Sequence, residues 1–116
     1  RKKVLDLGTK SASSVDYPDY AHLLSKKMKK NENQFGILIC GTGIGMSMAA
    51  NKHQNIRAAL CHNIKSTKLS REHNNANVMA LGARVTKKNI ALKCVSAFLE
   101  TNFTGGRRHL RRIKKI

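Results

Sequence analysis

Apolar residues along this chain come in two rhythms. Short, nearly unbroken apolar runs lie over 35–39, 56–61 and 77–81. They predict strands over 35–40, 56–61 and 77–81, and the first has the pattern of a strand buried on both faces. Val4-Leu-Asp-Leu7 predicts one more short strand, ending at Gly8 and followed by a polar loop from Thr9 to Ser14. Between the runs the apolar positions are spaced for helices. Tyr17 to Lys30 reads as a helix with Asp16 as N-cap and Pro18 at an allowed early position. Its apolar face is Ala21, Leu23, Leu24 and Met28, its lysines point outward, and the polar stretch from Asn31 to Gln34 ends it. Further helices are expected from Met46 to about His53, from Ile64 to Glu72 and from Ile90 to Leu99. The segment after Gly106 carries Leu110 and Ile113 among basic residues, an amphipathic helix. Strands and helices alternating at this length predict a parallel α/β sheet flanked by helices on both faces, a Rossmann-like three-layer arrangement. Ligands of such sheets bind at the carboxyl ends of the strands. At 116 residues, with no repeat and no low-complexity linker, one domain spanning 1–116 is expected.

The carboxyl end of the 35–40 strand carries the most informative segment, Cys40-Gly-Thr-Gly-Ile-Gly-Met46. Gly41, Gly43 and Gly45 allow backbone conformations and close approaches that a Cβ would block. Strand, glycine loop and helix start together make an anion cradle. Cys40 sits at its mouth, where the same dipole favours a thiolate. The G-x-G-x-G spacing is neither the ATP-type loop, which ends in Gly-Lys-Ser/Thr, nor the dinucleotide fingerprint. Taken alone, the loop points to a small anionic ligand or to a tight turn beside an inert cysteine.

Charge adds a second class of function to weigh. Lys and Arg number 23 against 6 Asp and Glu, a formal net charge of +17. That balance suits a basic nucleic-acid-binding module. The charge is spread through the chain, however, and aromatic residues are only 4%, too few for a stacking platform. Non-specific, salt-sensitive association with nucleic acid is the expectation. The three cysteines, Cys40, Cys61 and Cys94, cannot all pair and form no C-x-x-C, which points to the cytoplasm; Cys61 and Cys94 read as core residues. The first residues are charged and carry no apolar leader, and no run has the ~20 apolar residues of a membrane span.

The segments ICGTGIGMSMAANK, IRAALC, LSREHNNANVMALGARV, Asp16-Tyr-Pro-Asp-Tyr20 and Gly105-Gly-Arg107, taken in this order, resemble the ribose-5-phosphate isomerase B family. That family also includes the galactose-6-phosphate isomerase subunits. The resemblance implies a flavodoxin-like strand order, 2-1-3-4-5, and a homodimer or homotetramer whose active sites take residues from two subunits. It implies interconversion of ribose 5-phosphate and ribulose 5-phosphate through an enediolate, in the pentose phosphate pathway. A galactose-6-phosphate or allose-6-phosphate isomerase of the same fold is the alternative. Members begin with a strand that ends in an Asp-His pair, followed by a helix. This chain shows no counterpart of that unit of about 25–30 residues, so the expectation is that the sequence is incomplete.

By the same resemblance Cys40 is the base. Amides from Gly41 through Gly43 and Ile44 to Gly45 hold the oxyanion, and Thr42 bonds a sugar hydroxyl. One branch of the family has a glutamate base at the position of Met46 and lacks the cysteine, so Met46 sets this chain in the cysteine branch. His73 is the ring-opening acid/base, since imidazole both gives and takes a proton near neutral pH. On its own, His73 reads as a surface histidine favoured by a helix C-terminus. Asn74 binds sugar hydroxyls and Tyr17 lines the pocket. Arg107 and Arg111, four apart, share a helix face and grip phosphate, joined by Arg84. The family has histidine directly after its first arginine, whereas here Arg108 stands there and His109 follows. A one-residue shift would make Arg108 and Arg112 the pair. His22, His53, His62 and His109 read as surface or structural. Histidines and cysteines show no metal-ligand spacing, and the reaction needs neither metal nor cofactor.

Overall fold

A computed structural model describes residues 2–28, 30 and 33–116. In chain order the elements are α1 (Tyr17–Lys27), β1 (Gly36–Cys40), α2 (Ile44–Ala50), β2 (Ala58–Leu60), α3 (Ile64–Asn74), β3 (Val78–Gly82), α4 (Lys88–Glu100) and α5 (Arg107–Ile113). The three strands form a parallel sheet in the order β1-β3-β2. The flavodoxin-like order would have placed the 58–60 strand in the middle. Instead β3, the last strand in sequence, is the central one, with Leu38 opposite Ala80 and Leu60 opposite the same Ala80.

Alternation along β3 divides the core into two layers, because successive side chains of a strand face opposite ways. Val78 and Ala80 face α1 and α2, where they join Ala21, Leu38, Met46, Ala50 and Ile56. Met79 and Leu81 face the other side, where they meet Cys61, Ala76, Cys94 and Phe98. As the central strand, β3 is buried at all five positions. β1 departs from the expected two-faced burial: Leu38 is 4% exposed, but Ile37 is 37% and Ile39 57% exposed. The physical reason is position. β1 is an outer strand of this sheet, so one of its faces lies beyond the reach of α3 and α4. β2 is three residues long and half-buried throughout, shorter than the buried strand expected over 56–61.

Local chemistry explains the ends of the helices. α1 starts after Asp16, with proline in its first turn and Lys26 and Lys27 complementing the dipole in its last. It stops at Lys27 rather than Lys30, because Met28 turns extended and folds back toward the sheet. A Cβ on Gly36 would stand 2.7 Å from Leu24 Cδ2 and 3.1 Å from Met28 Sδ, so this glycine lets α1 close on β1. Of the predicted apolar face, Ala21, Leu24 and Met28 pack inward, while Leu23 is 39% exposed. The predicted break at Asn31 lies outside the described residues. α2 ends at Ala50, not His53, and passes into turns. α3 is capped by Asn63, whose Oδ1 accepts from Ser66 N at 2.8 Å. It runs two residues beyond the predicted end at Glu72, to Asn74, and Asn75 closes it with φ 47°.

The predicted strand at Val4–Leu7 does not form: these residues have no regular structure, and Val4 is 90% and Leu5 71% exposed. A strand requires a neighbour to satisfy its amides, and none of the three strands pairs with this segment.

Candidate active site

Cys40 ends β1, level with Gly82 on β3. The chain then makes the tight turn that the glycines announce. Gly43 has φ 80°, and a Cβ there would approach the Leu81 carbonyl carbon to 2.9 Å. This glycine is buried and shapes the loop. Gly45 has a different reason: the ring of Tyr17, arriving from α1, occupies the space that its Cβ would need. At Gly41 a Cβ would meet only the Arg84 side chain at 3.5 Å, an ordinary contact, so the chain itself does not require glycine there. Gly43 N donates to Cys40 Sγ at 3.1 Å, and Ile44 N to Thr42 Oγ1 at 3.2 Å. Ala83 N and Arg84 N bond back to the Cys40 and Gly41 carbonyls at 2.8 and 3.0 Å, which fastens the loop after β3 beside the glycine loop.

Around this turn lies a cavity of about 290 Å³ lined by Tyr17, Cys40, Gly41, Thr42, Gly45 and Arg84. Six of the expected site residues thus share one volume at the carboxyl end of the sheet. It holds a nucleophilic sulfur, a hydroxyl, a phenol and a guanidinium, a set suited to a small, hydroxylated anion. Ile44 is 46% exposed and does not line it.

His73, Asn74, Arg107 and Arg111 are elsewhere. α3 leaves the carboxyl end of β2 and returns to begin β3, so its last turn lies at the amino end of the sheet. β3 alone separates the two ends by roughly 13 Å. α5 packs against that last turn of α3, and the rings of His73 and His109 stack with centroids 4.4 Å apart and planes 13° apart. His109 and Ile113 face inward, and the four arginines of α5 are exposed. Within one chain, Arg84 therefore sits with Cys40 rather than with Arg107 and Arg111. The expected site residues thus fall into two groups, one at each end of a parallel sheet.

Sequence reading missed what anchors the second group. Arg71 is 7% exposed, yet its partners are all carbonyl oxygens. Nε donates to Thr101 O at 3.0 Å, and Nη1 donates to Asn75 Oδ1 at 3.0 Å and Ala76 O at 2.6 Å. The guanidinium also lies over the rings of Phe35 and Phe98, 4.9 and 5.7 Å from their centroids. Thr104 adds a second tie, its N and Oγ1 donating to Glu72 O at 3.2 and 2.8 Å. Arg71 shares the buried face of α3 with Thr67 and Ser70, which is no apolar stripe to read, and one of its partners, Thr101, lies far along the chain.

Comparison with known proteins converges on one family. The profile of the Ribose/Galactose Isomerase family matches residues 1–116. Ribose-5-phosphate isomerase B of Escherichia coli is 45% identical over 114 residues, which are 98% of this chain and 76% of that protein. A probable ribose-5-phosphate isomerase B of Mycoplasma pneumoniae is 47% identical over 98% of this chain and 75% of its own length. Among solved structures, a Thermotoga maritima ribose 5-phosphate isomerase superimposes with a TM-score of 0.92 at 51% identity, covering 97% of this chain and 77% of that one. The type B ribose 5-phosphate isomerase of Trypanosoma cruzi gives 0.89 at 47% identity, over 93% and 72%. With a match along its whole length and relatives this similar, the chain belongs to the ribose/galactose isomerase family.

Proposed function

We propose that residues 1–116 form one sugar-phosphate isomerase domain that interconverts ribose 5-phosphate and ribulose 5-phosphate in the pentose phosphate pathway of the cytoplasm. The observation that carries this reading is the cavity at the end of β1, where Cys40, Thr42, Tyr17 and Arg84 converge, in a chain of the isomerase family. Moving a proton between C2 and C1 needs a base over those carbons and donors for the oxyanion that develops. Cys40 takes the C2 proton of the open-chain aldose. The C2 electron pair forms the C1–C2 double bond, and the carbonyl oxygen on C1 gains the charge. Amides of the glycine loop hold that oxygen, and the Thr42 hydroxyl bonds a sugar hydroxyl. A proton then passes from the C2 hydroxyl to the oxygen on C1, the C2–O electron pair becomes the new carbonyl, and the C1–C2 double-bond pair takes the proton back from sulfur onto C1.

Ring opening requires a further acid/base, and among the described residues the lining of the Cys40 cavity includes no histidine. In a two-fold dimer the amino-end cluster of one subunit meets the carboxyl-end cavity of the other. His73 of the partner subunit then opens the ring, with Asn74 on the sugar hydroxyls. Arg107 and Arg111 bind the phosphate together with Arg84. That pair points most directly away from the inward-facing His109 and Ile113, whereas Arg108 and Arg112 flank His109.

The test is turnover of ribose 5-phosphate beside galactose 6-phosphate and allose 6-phosphate by the native oligomer. Cys40→Ala is expected to lower kcat by roughly 10²–10⁴ while sugar-phosphate binding stays within about tenfold. Near-normal turnover by the variant would remove Cys40 from the mechanism. Faster turnover of a hexose phosphate would move the substrate to the six-carbon branch. Absence of turnover combined with salt-sensitive RNA binding would favour the nucleic-acid reading.

A further inference from the structure

We propose that His109 is a positioning residue for His73: its imidazole, stacked on that of His73, fixes the orientation in which His73 is presented to the partner subunit's cavity. The functional part of this rests on the isomerase reading above; the stacking itself does not.

The backbone at His73 is already immobilised. Arg71 ties the end of α3 to Thr101 and Ala76, and Thr104 ties Glu72 from the other side. The side chain is a different matter, because His73 is exposed and an exposed imidazole ordinarily samples several rotamers. What lies against it is the face of His109, at 4.4 Å and nearly parallel, slightly tighter than the roughly 4.5–7 Å usual for paired rings. His109 is one of two α5 residues turned inward, so its ring is set by the packing of α5 on α3.

Charge makes the stack work as a support rather than a competitor. His109 is held below the ordinary histidine range, first by loss of water against α3, then by His73, Arg108 and Arg112. A neutral ring beside a proton-transferring one offers a flat surface without contesting the proton. Two imidazoliums at this distance would repel. His109 therefore acts through the geometry of His73.

The experiment uses the full-length oligomer with His109→Ala and His109→Phe. Alanine removes the surface, and phenylalanine restores a flat ring that cannot titrate. The alanine variant is expected to lose kcat for the cyclic sugar phosphate by roughly tenfold or more, with little change in KM and in proton exchange on an open-chain substrate. Phenylalanine should restore most of the loss. Equal loss in both assays without rescue would mark His109 as a general packing residue and overturn the proposal. So would unchanged turnover of the cyclic sugar by the alanine variant. A second readout needs no activity: the ring-proton NMR resonances of His73 should shift and broaden in His109→Ala and return toward native behaviour in His109→Phe. If wild-type protein turned over no sugar phosphate, the isomerase reading would fall while this spectrum still decided the stack. Unaltered His73 resonances in the alanine variant would refute the stack itself.

Discussion

Tyr17 and the glycine loop show how neighbouring glycines can be required for different reasons. Gly43 is buried, left-handed and pressed on the Leu81 backbone. Gly45 carries only the ring of Tyr17, which is 42% exposed. Alanine should therefore act differently at the two positions. Gly43→Ala meets a backbone strain of about 1–2 kcal/mol and a neighbour that cannot move, so the melting temperature should fall by at least ~4 °C. Gly45→Ala meets a surface side chain that can swing aside. Its melting temperature should stay near wild type, while KM rises as Tyr17 leaves the cavity wall. Thermal melts paired with steady-state kinetics separate the two, and a large stability loss at Gly45 would show that Tyr17 belongs to the core. The need for glycine at 43 and 45 was legible in the spacing of the loop. The reasons were not, since Tyr17 and Leu81 come from segments far away in sequence.

Between elements, Arg71 joins four pieces of chain: the end of α3, the Asn75 turn, the start of β3 and the exit of α4. A buried charge is usually costly, and here burial depresses the Arg71 pKa, with Arg57 adding to the effect. The guanidinium remains because three carbonyl-type oxygens and two aromatic faces replace its water. Arg71→Met keeps volume but strands the Thr101 and Ala76 carbonyls, at ~1–3 kcal/mol for each buried group. A loss of about 2–4 kcal/mol in urea denaturation is the expected result. Arg71→Lys should recover little, because a single ammonium cannot replace the planar fork. A loss under ~0.5 kcal/mol in both variants would mean that water reaches those carbonyls. At this scale the helices were readable from periodicity and caps, with ends off by a few residues where a side chain such as Met28 had tertiary work to do. Strands were less readable. Ile37 and Ile39 in a continuous apolar run predict two-sided burial, and only the sheet's lateral order shows that one face of β1 is open. Val4–Leu7 has strand composition, yet none of the three strands pairs with it.

At the scale of the whole molecule, the sequence allowed candidate site residues to be named but not their distribution along the sheet. Nothing in the spacing of Cys40 and His73 says that one stands at the carboxyl end and the other at the amino end. That follows from β3, which takes the centre of the sheet, and from α3, which runs back beneath it. If sites form across a two-fold axis, this polarity has a genetic consequence. An allele encoding Cys40→Ala and one encoding His73→Ala would each be null alone, because every site would lack one partner. Expressed together, the products would reassort at random. Half of the dimers would be mixed, each concentrating both lesions in one site and leaving the other intact, so roughly a quarter of wild-type activity would return. A cell deprived of its own isomerase should then grow with both defective alleles where neither suffices. If subunit exchange is demonstrated by native mass spectrometry and growth still fails, the two residues do not serve one site across the axis. Complementation between two broken copies of one gene is thus the expected trait, on the isomerase reading, of a chain that places Cys40 and His73 at opposite ends of one sheet.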